Sequence, residues 1–196
     1  MSDRNTFEQN PKFKKVVTTA KDLFYRYGIK RVTIEEICRE SGVSKMTFYK
    51  FFPNKLELAK YLLNSIFGNA IEEFQDIVDS ENSFPDKLKL LIDLKRRGTD
   101  HIGAEFIAEL SQHPEPEIAV IYNKQRERSM DITVIFFKQA QEKGELRSGI
   151  KLEFIIYILN KMIEMSTDDA LTGMYTSPQE IALEMTNFLF YGILER

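Results

Sequence analysis

The sequence has little of what marks several protein classes. Its 196 residues include one cysteine, Cys38, so an internal disulfide is excluded. Only 6 prolines and 9 glycines are present, too few for a collagen-like or disordered chain. The longest apolar runs, such as residues 154–159, have six residues, whereas a membrane-spanning helix needs about 20. The opening residues are polar rather than signal-like. We therefore expect a globular chain that works in the reducing cytoplasm and has no membrane partner.

Charge is distributed unevenly along the chain. The net charge is −3, yet residues 1–60 carry 13 Lys and Arg against 7 Asp and Glu. The remaining residues carry 14 basic against 23 acidic side chains. A basic first third joined to an acidic remainder indicates that the N-terminal part alone meets a polyanion, either nucleic acid or an anionic surface.

Helical periodicity and capping signals run through the whole sequence. Asn10 followed by Pro11 predicts a first helix that ends before Gly28. Thr33 with Glu36 forms a capping box for a second helix. A third helix follows from Lys45 to Phe51, and a long fourth helix runs from residue 55 to about residue 78. Later segments are helical too, with breaks near residues 83–85, 114–116, 144–149 and 172–178. The predicted fold class is all-α.

The second and third helices, joined by the tight turn at 42–44, match a helix-turn-helix, whose second helix enters the DNA major groove. In the third helix, Phe48, Phe51 and Phe52 share one side and must face the core. The opposite side and its flanks are then exposed. They carry Lys45, Met46, Thr47, Tyr49 and Lys50.

These side chains suit contacts with DNA. Lysine can donate to guanine, threonine to a base edge or a phosphate, and methionine can contact a thymine methyl group. Tyr49 is better suited to a phosphate oxygen. Lys55 lies in the first turn of the next helix, where its ammonium and the free backbone N–H groups can hold a phosphate together.

At these positions the chain resembles the tetracycline-repressor (TetR) family of bacterial transcription regulators. The resemblance covers the first third of the chain, and its departures from the family pattern are Cys38, Met46 and Phe48. The matching residues are Leu23-Phe24, Tyr27-Gly28, Val32 to Ile37, Gly42 to Lys45, Thr47 to Tyr49, Phe52, Asn54-Lys55 and Glu57-Leu58.

The resemblance implies an organisation and a set of contacts. Residues 1–54 would form a three-helix DNA-binding domain, joined by the long helix to a helical effector-binding and dimerisation domain at 55–196. Thr33, Tyr49 and Lys55 would contact phosphates of double-stranded DNA. Base or groove contacts would come from Ser44, Lys45, Met46, Thr47 and Lys50.

The C-terminal part fits a homodimer that responds to a small molecule. Its last two helices, Leu152 to Met165 and Ser177 to Leu194, are apolar around most of their girth and are the predicted dimer interface. We expect a repressor that a small, largely apolar effector releases from a palindromic operator. Candidate effector contacts are His101, Phe106, Tyr122, Met130, Asn160 and Glu164.

Other interpretations of the sequence remain open. His101, Glu105, Glu109 and His113 recur every four residues and could bind a metal, although a solvated helix face is the favoured interpretation. The usual arrangements of catalytic nucleophile, base and metal are missing, so we expect neither catalysis nor a cofactor. Cys38 is interpreted as a buried apolar residue rather than a redox sensor. A membrane-surface or protein-docking module without specific DNA binding would explain the basic N-terminal part, but not the turn and third helix.

Overall fold

The computed structural model describes residues 7–112, 114–147, 149–165 and 168–193. These residues contain α-helices and no β-strand, which confirms the all-α class. In chain order the helices are α1 (Pro11–Tyr27), α2 (Ile34–Ser41), α3 (Lys45–Phe51), α4 (Lys55–Asp79), α5 (Phe84–Gly98), α6 (Ala104–Ser111), α7 (Pro116–Glu142), α8 (Leu152–Met165), α9 (Asp169–Thr172) and α10 (Pro178–Ile193). None of the helices described is long and apolar enough to cross a membrane.

The capping residues predicted from the sequence begin the helices of the N-terminal region. The Asn10 side chain accepts a hydrogen bond from the backbone N–H of Lys12 at 2.9 Å. Thr33 does the same for Glu36 at 3.1 Å, one half of the expected capping box. Such side-chain oxygens satisfy N–H groups that have no partner within the helix, and each is typically worth about 1 kcal/mol.

The chain folds into two compact units. The first contains residues up to Ile66 together with His101–Tyr122, and the second contains Phe67–Asp100 with the residues from Asn123 onward. The sequence had suggested a division at residues 54 and 55. The first unit extends further because it includes the first part of α4 and all of α6. The functional division of the chain stays a prediction.

Aromatic packing dominates the core of the first unit. The ring of Phe13 stacks on that of Phe52 with centroids 5.3 Å apart, and meets Tyr61 edge-on at 5.4 Å. Phe48 of α3 is fully buried and lies against Phe52. Burying each large apolar side chain contributes about 1.5–3 kcal/mol, so these rings fix α3 to α1 and α4.

The second unit has its own apolar core, built from α4, α5, α7, α8 and α10. Phe84 and Phe136 pack with their ring centroids 5.1 Å apart, and Ile155 of α8 is fully buried. Lys87 is buried beside this core, where its ammonium donates to the backbone carbonyl of Val78 at 2.7 Å. That bond compensates part of the cost of burying a charge.

Candidate DNA-binding surface

A tight turn joins α2 to α3. Gly42 ends α2 with φ of 66°, the left-handed conformation that glycine adopts without steric cost. The backbone N–H of Val43 then donates to the carbonyl of Cys38 at 3.0 Å, and the Val43 side chain is buried. The Gly42 N–H also donates to the Arg39 carbonyl at 3.3 Å. Two backbone hydrogen bonds and one buried apolar side chain thus hold the turn and give the two helices a defined relation.

The predicted orientation of α3 is confirmed. Phe48 is 0% exposed, whereas Met46 is 71% and Tyr49 is 53% exposed. Lys45 and Lys50 are exposed as well, and Thr47 is half-buried. A surface helix whose solvent side carries large apolar and basic side chains is unusual for a free surface and is typical of a helix that contacts a partner.

The N-terminus of α3 is closed by two hydroxyl groups. Ser44 Oγ accepts from the backbone N–H of Thr47 at 3.3 Å and lies 3.0 Å from Thr47 Oγ1. Each hydroxyl retains capacity for a further partner, because a hydroxyl combines one donor with two acceptor sites. Both side chains thus lie where a phosphate or base edge could approach the helix.

Lys45 carries an ion pair across the helix-turn-helix. Its ammonium donates to the Glu35 carboxylate of α2. The hydrogen bond to Lys45 lowers the pKa of Glu35 below its usual range, and the same bond raises the pKa of Lys45. Both side chains are exposed, so Lys45 can exchange Glu35 for a DNA group at little cost.

Lys55 is placed differently from the expectation. Its ammonium donates to the backbone carbonyls of Ile29, Lys30 and Val32 at 2.6, 2.8 and 2.6 Å. Burial lowers its pKa, and the charge of Glu109 opposes that effect. All three N–H donors of the ammonium are engaged within the protein. The predicted contact of this side chain with a phosphate would require these bonds to break.

Glu109 of α6 is a functional candidate that sequence reasoning missed. Its carboxylate accepts from the backbone N–H of Ile29 at 2.6 Å and from that of Lys30 at 3.1 Å. The sequence offered only the four-residue stripe of possible metal ligands. No group of metal-ligating side chains occurs among the residues that the structure describes, and His113 lies outside them. The carboxylate holds a turn rather than an ion.

The candidate effector residues are divided between the two compact units. His101, Phe106 and Tyr122 belong to the first unit, and Met130, Asn160 and Glu164 to the second. Phe106 is buried against the Tyr25 ring of α1 with centroids 5.1 Å apart, so it supports α1.

The three candidates in the second unit differ in their surroundings. Glu164 is exposed and pairs with Lys161 at 2.7 Å. Asn160 accepts from Arg126 at 3.3 Å, and Met130 is half-buried on α7. Gln125, which also lies on α7, was not a candidate in the sequence analysis. The Gln125 side-chain oxygen is buried and has no hydrogen-bond partner among the described residues.

Comparison with known proteins finds transcription regulators that resemble this chain. A transcriptional regulator from Saccharomonospora viridis, solved in complex with choline, shares its fold at a TM-score of 0.72, with 21% identity over 93% of this chain and 97% of that one. Residues 16–62 match the family of bacterial regulatory proteins described as the tetR family. The match over residues 16–62 and the shared fold support a regulator of the tetR family.

Two further relatives extend the comparison. The fatty acid metabolism regulator protein of Bacillus subtilis is 24% identical over 85 residues, which are 43% of this chain and 44% of that protein's own length. The FadR regulator of Bacillus subtilis, solved in complex with stearoyl-CoA, gives a TM-score of 0.65 at 17% identity, covering 90% of this chain and 97% of that one. The chain is thus a DNA-binding transcriptional regulator with a helix-turn-helix.

Proposed function

We propose that this regulator reads a palindromic operator with the exposed side of α3. The observation that carries the proposal is the exposure of Met46 and Tyr49 on a helix whose opposite side buries Phe48 in the core. Seven side chains near this surface are the proposed DNA contacts. They are Thr33, Ser44, Lys45, Met46, Thr47, Tyr49 and Lys50.

Lys50→Ala tests this surface, and a control variant that also removes one positive charge is measured beside it. Loss of one phosphate-directed lysine should reduce the slope of log affinity against log salt by about 0.9. Loss of a base-directed lysine should instead relax preference at one base pair. Lys143→Ala, an exposed lysine of the second unit, should do neither. If both variants bound like the wild type, this surface would be the wrong one.

We also propose that two chains assemble through α8 and α10. Two aromatic residues of α10 are prominently exposed, Phe188 at 83% and Tyr191 at 73%. Phe154, Tyr157 and Met165 of α8 are each about half exposed. With about 200 Å² for each such side chain, covering all five on both chains would bury roughly 1,200 Å², enough for a specific interface. Leu194, at the end of the proposed interface, lies outside the described residues.

The proposed effector is a small, largely apolar molecule that also donates a hydrogen bond. A buried acceptor without a donor costs about 1–3 kcal/mol, so Gln125 favours an effector that supplies one. The fatty acid metabolism regulator and the stearoyl-CoA complex among the relatives support an acyl chain as the apolar part. A bound molecule of this kind would release the operator, which makes the protein a repressor.

A thermal-shift screen tests the effector proposal. Acyl compounds, apolar acids and hydrophobic amines are screened against the chain, and each hit is titrated into the preformed operator complex. Coupling is reciprocal, so a true effector weakens DNA binding by the same factor by which DNA weakens its own binding. Hits that stabilise the protein without releasing DNA would refute this part of the proposal.

The alternative of a membrane-surface or protein-docking module has less support, because it leaves the tetR-family helix-turn-helix without a purpose. Because bacterial DNA is in the cytoplasm, we place the protein there, as a regulator without catalytic activity of its own. Salt-dependent binding to one duplex, with no binding to anionic lipid vesicles, is the expected result. The reverse result would favour the alternative.

A further inference from the structure

The turn between α1 and α2, residues 28–33, is held from two sides by charged side chains distant in sequence. Ile29 and Lys30 bond to both of these side chains. Their backbone N–H groups donate to the Glu109 carboxylate, and their backbone carbonyls accept from the Lys55 ammonium. Glu109 lies about 80 residues from the turn and Lys55 about 25. We call these two side chains the turn clamp.

The two charges of the turn clamp act in the same sense on the backbone. The N–H end of a peptide group carries a partial positive charge and the carbonyl end a partial negative charge. An anion at the first and a cation at the second are therefore both favourable. Hydrogen bonds to charged partners are about twice as strong as neutral ones, and partners along a chain of bonds polarise one another. Losing one side chain should therefore weaken the bonds made by the other.

The fit around Glu109 leaves little freedom. Gly28 has φ of 81°, and a Cβ atom there would lie 2.6 Å from the Glu109 carboxylate. At the start of α6, the Gly103 N–H donates to the Tyr25 carbonyl at 2.8 Å, and a Cβ on Gly103 would lie 2.9 Å from the Arg26 carbonyl. The Glu109 carboxylate at Gly28 and the close backbone approach at Gly103 thus seat α6 against the end of α1.

The clamped turn leads directly into the helix-turn-helix. Val32 is fully buried, and the next residue, Thr33, caps α2 and is a proposed phosphate contact. The helix α2 in turn carries Glu35, which pairs with Lys45 of α3. A shift of the turn would therefore displace the start of α2 and the groups it presents.

We propose that Glu109 and Lys55 are positioning residues for DNA binding, which fix the turn before α2 without touching DNA. This inference rests on the proposed DNA-binding surface. It replaces the phosphate contact expected of the Lys55 side chain with an internal role. The two roles are separable, because a phosphate contact changes the salt dependence of binding, whereas a positioning residue changes affinity at an unchanged salt slope.

The experiment uses the full chain and its operator, with three variants. Glu109→Gln removes the carboxylate charge, Lys55→Met removes the ammonium, and Glu105→Gln removes an exposed carboxylate one turn earlier on α6 as the control. Affinity is measured by fluorescence anisotropy at several salt concentrations. Amide hydrogen exchange at Ile29 and Lys30 is followed by NMR in the absence of DNA.

Glu109→Gln and Lys55→Met should each lower operator affinity about tenfold, the usual worth of a hydrogen bond to a charged group, with the salt slope unchanged. Exchange at Ile29 and Lys30 should accelerate in both variants. The double variant should lose less than the product of the single losses. Glu105→Gln should match the wild type in every measurement.

Three results would overturn the role. They are faster exchange with unchanged affinity, unchanged exchange at both amides, and a slope that falls by about one in Lys55→Met, which would make that side chain a phosphate contact. If Glu109→Gln proves too unstable to assay, Lys55→Met tests the clamp from its other side. A wild-type chain that binds no duplex would overturn the proposed function and this role together.

Discussion

Replacing Phe188 by serine is expected to break the proposed dimer. Phe188 is 83% exposed in the single chain, the largest exposed fraction among the big apolar residues that the structure describes. With about 200 Å² for a phenylalanine, about 170 Å² of it faces solvent. In a two-fold dimer each chain contributes the same residue, so one substitution removes about 340 Å² from the interface.

The area gives a magnitude for the effect. At about 25 cal/mol per Å², full burial of both copies would contribute about 8 kcal/mol, and half burial about 4 kcal/mol. A loss of 4 kcal/mol raises the dimer dissociation constant by about three orders of magnitude. Tyr191→Ser, at 73% exposure in the same helix, should act in the same direction with a similar size.

Sedimentation velocity from nanomolar to high micromolar concentration measures the dissociation constant. Val120→Ser is the matched control, because Val120 is 69% exposed but lies in the first unit, outside both dimer segments. Far-UV circular dichroism verifies that each variant keeps its helices. A change of less than tenfold for both Phe188→Ser and Tyr191→Ser would refute the assignment of α10 to the interface.

Three further predictions concern the first unit. Glu35→Gln should free Lys45 from its ion pair and raise operator affinity severalfold in an anisotropy titration. This gain should vanish when Lys45 is also replaced by methionine. A gain that persisted would mean that the Glu35 carboxylate merely repels the DNA phosphates. Gly28→Ala should lower the free energy of unfolding, measured in urea, by about 1–3 kcal/mol. The substitution places a Cβ atom on a strained backbone conformation and close to the Glu109 carboxylate. Unchanged stability would argue against that contact. Cys38, whose pKa burial raises, should react with a thiol reagent much more slowly in the native than in the denatured protein; equal rates would show an accessible thiol.

Sequence reasoning succeeded where the determinants are local. Helix starts follow from a capping oxygen two or three residues before the N–H it accepts from, as at Asn10 and Thr33. The exposed side of α3 follows from helical periodicity once Phe48 is assigned to the core. Cys38 is buried as its position on the apolar side of α2 indicated. Each of these inferences needed fewer than ten consecutive residues.

It failed where the partner is distant in the chain. Lys55 and Glu109 both carry charges that looked solvent-facing, and nothing near them in sequence reveals that they meet the same two peptide groups. For Phe106, an aromatic side chain on an amphipathic helix suits a ligand wall or a core equally well, and its contact with an effector stays a prediction. Only the packing of α6 on α1 decides between these uses.

The contacts that α6 makes with α1 and the following turn explain why the first unit extends beyond Lys55, the first residue of α4. Three helices of seven to seventeen residues offer limited apolar area, and small domains bury a smaller fraction of their surface. In this chain α6 supplies further contacts: Phe106 covers Tyr25, and the Glu109 carboxylate accepts from the backbone N–H groups of Ile29 and Lys30. The first unit is therefore discontinuous in sequence, and it includes a segment that begins about forty residues after the family match ends at residue 62. A fragment cut at the sequence-predicted boundary would expose the Tyr25 ring and release the turn that presents Thr33.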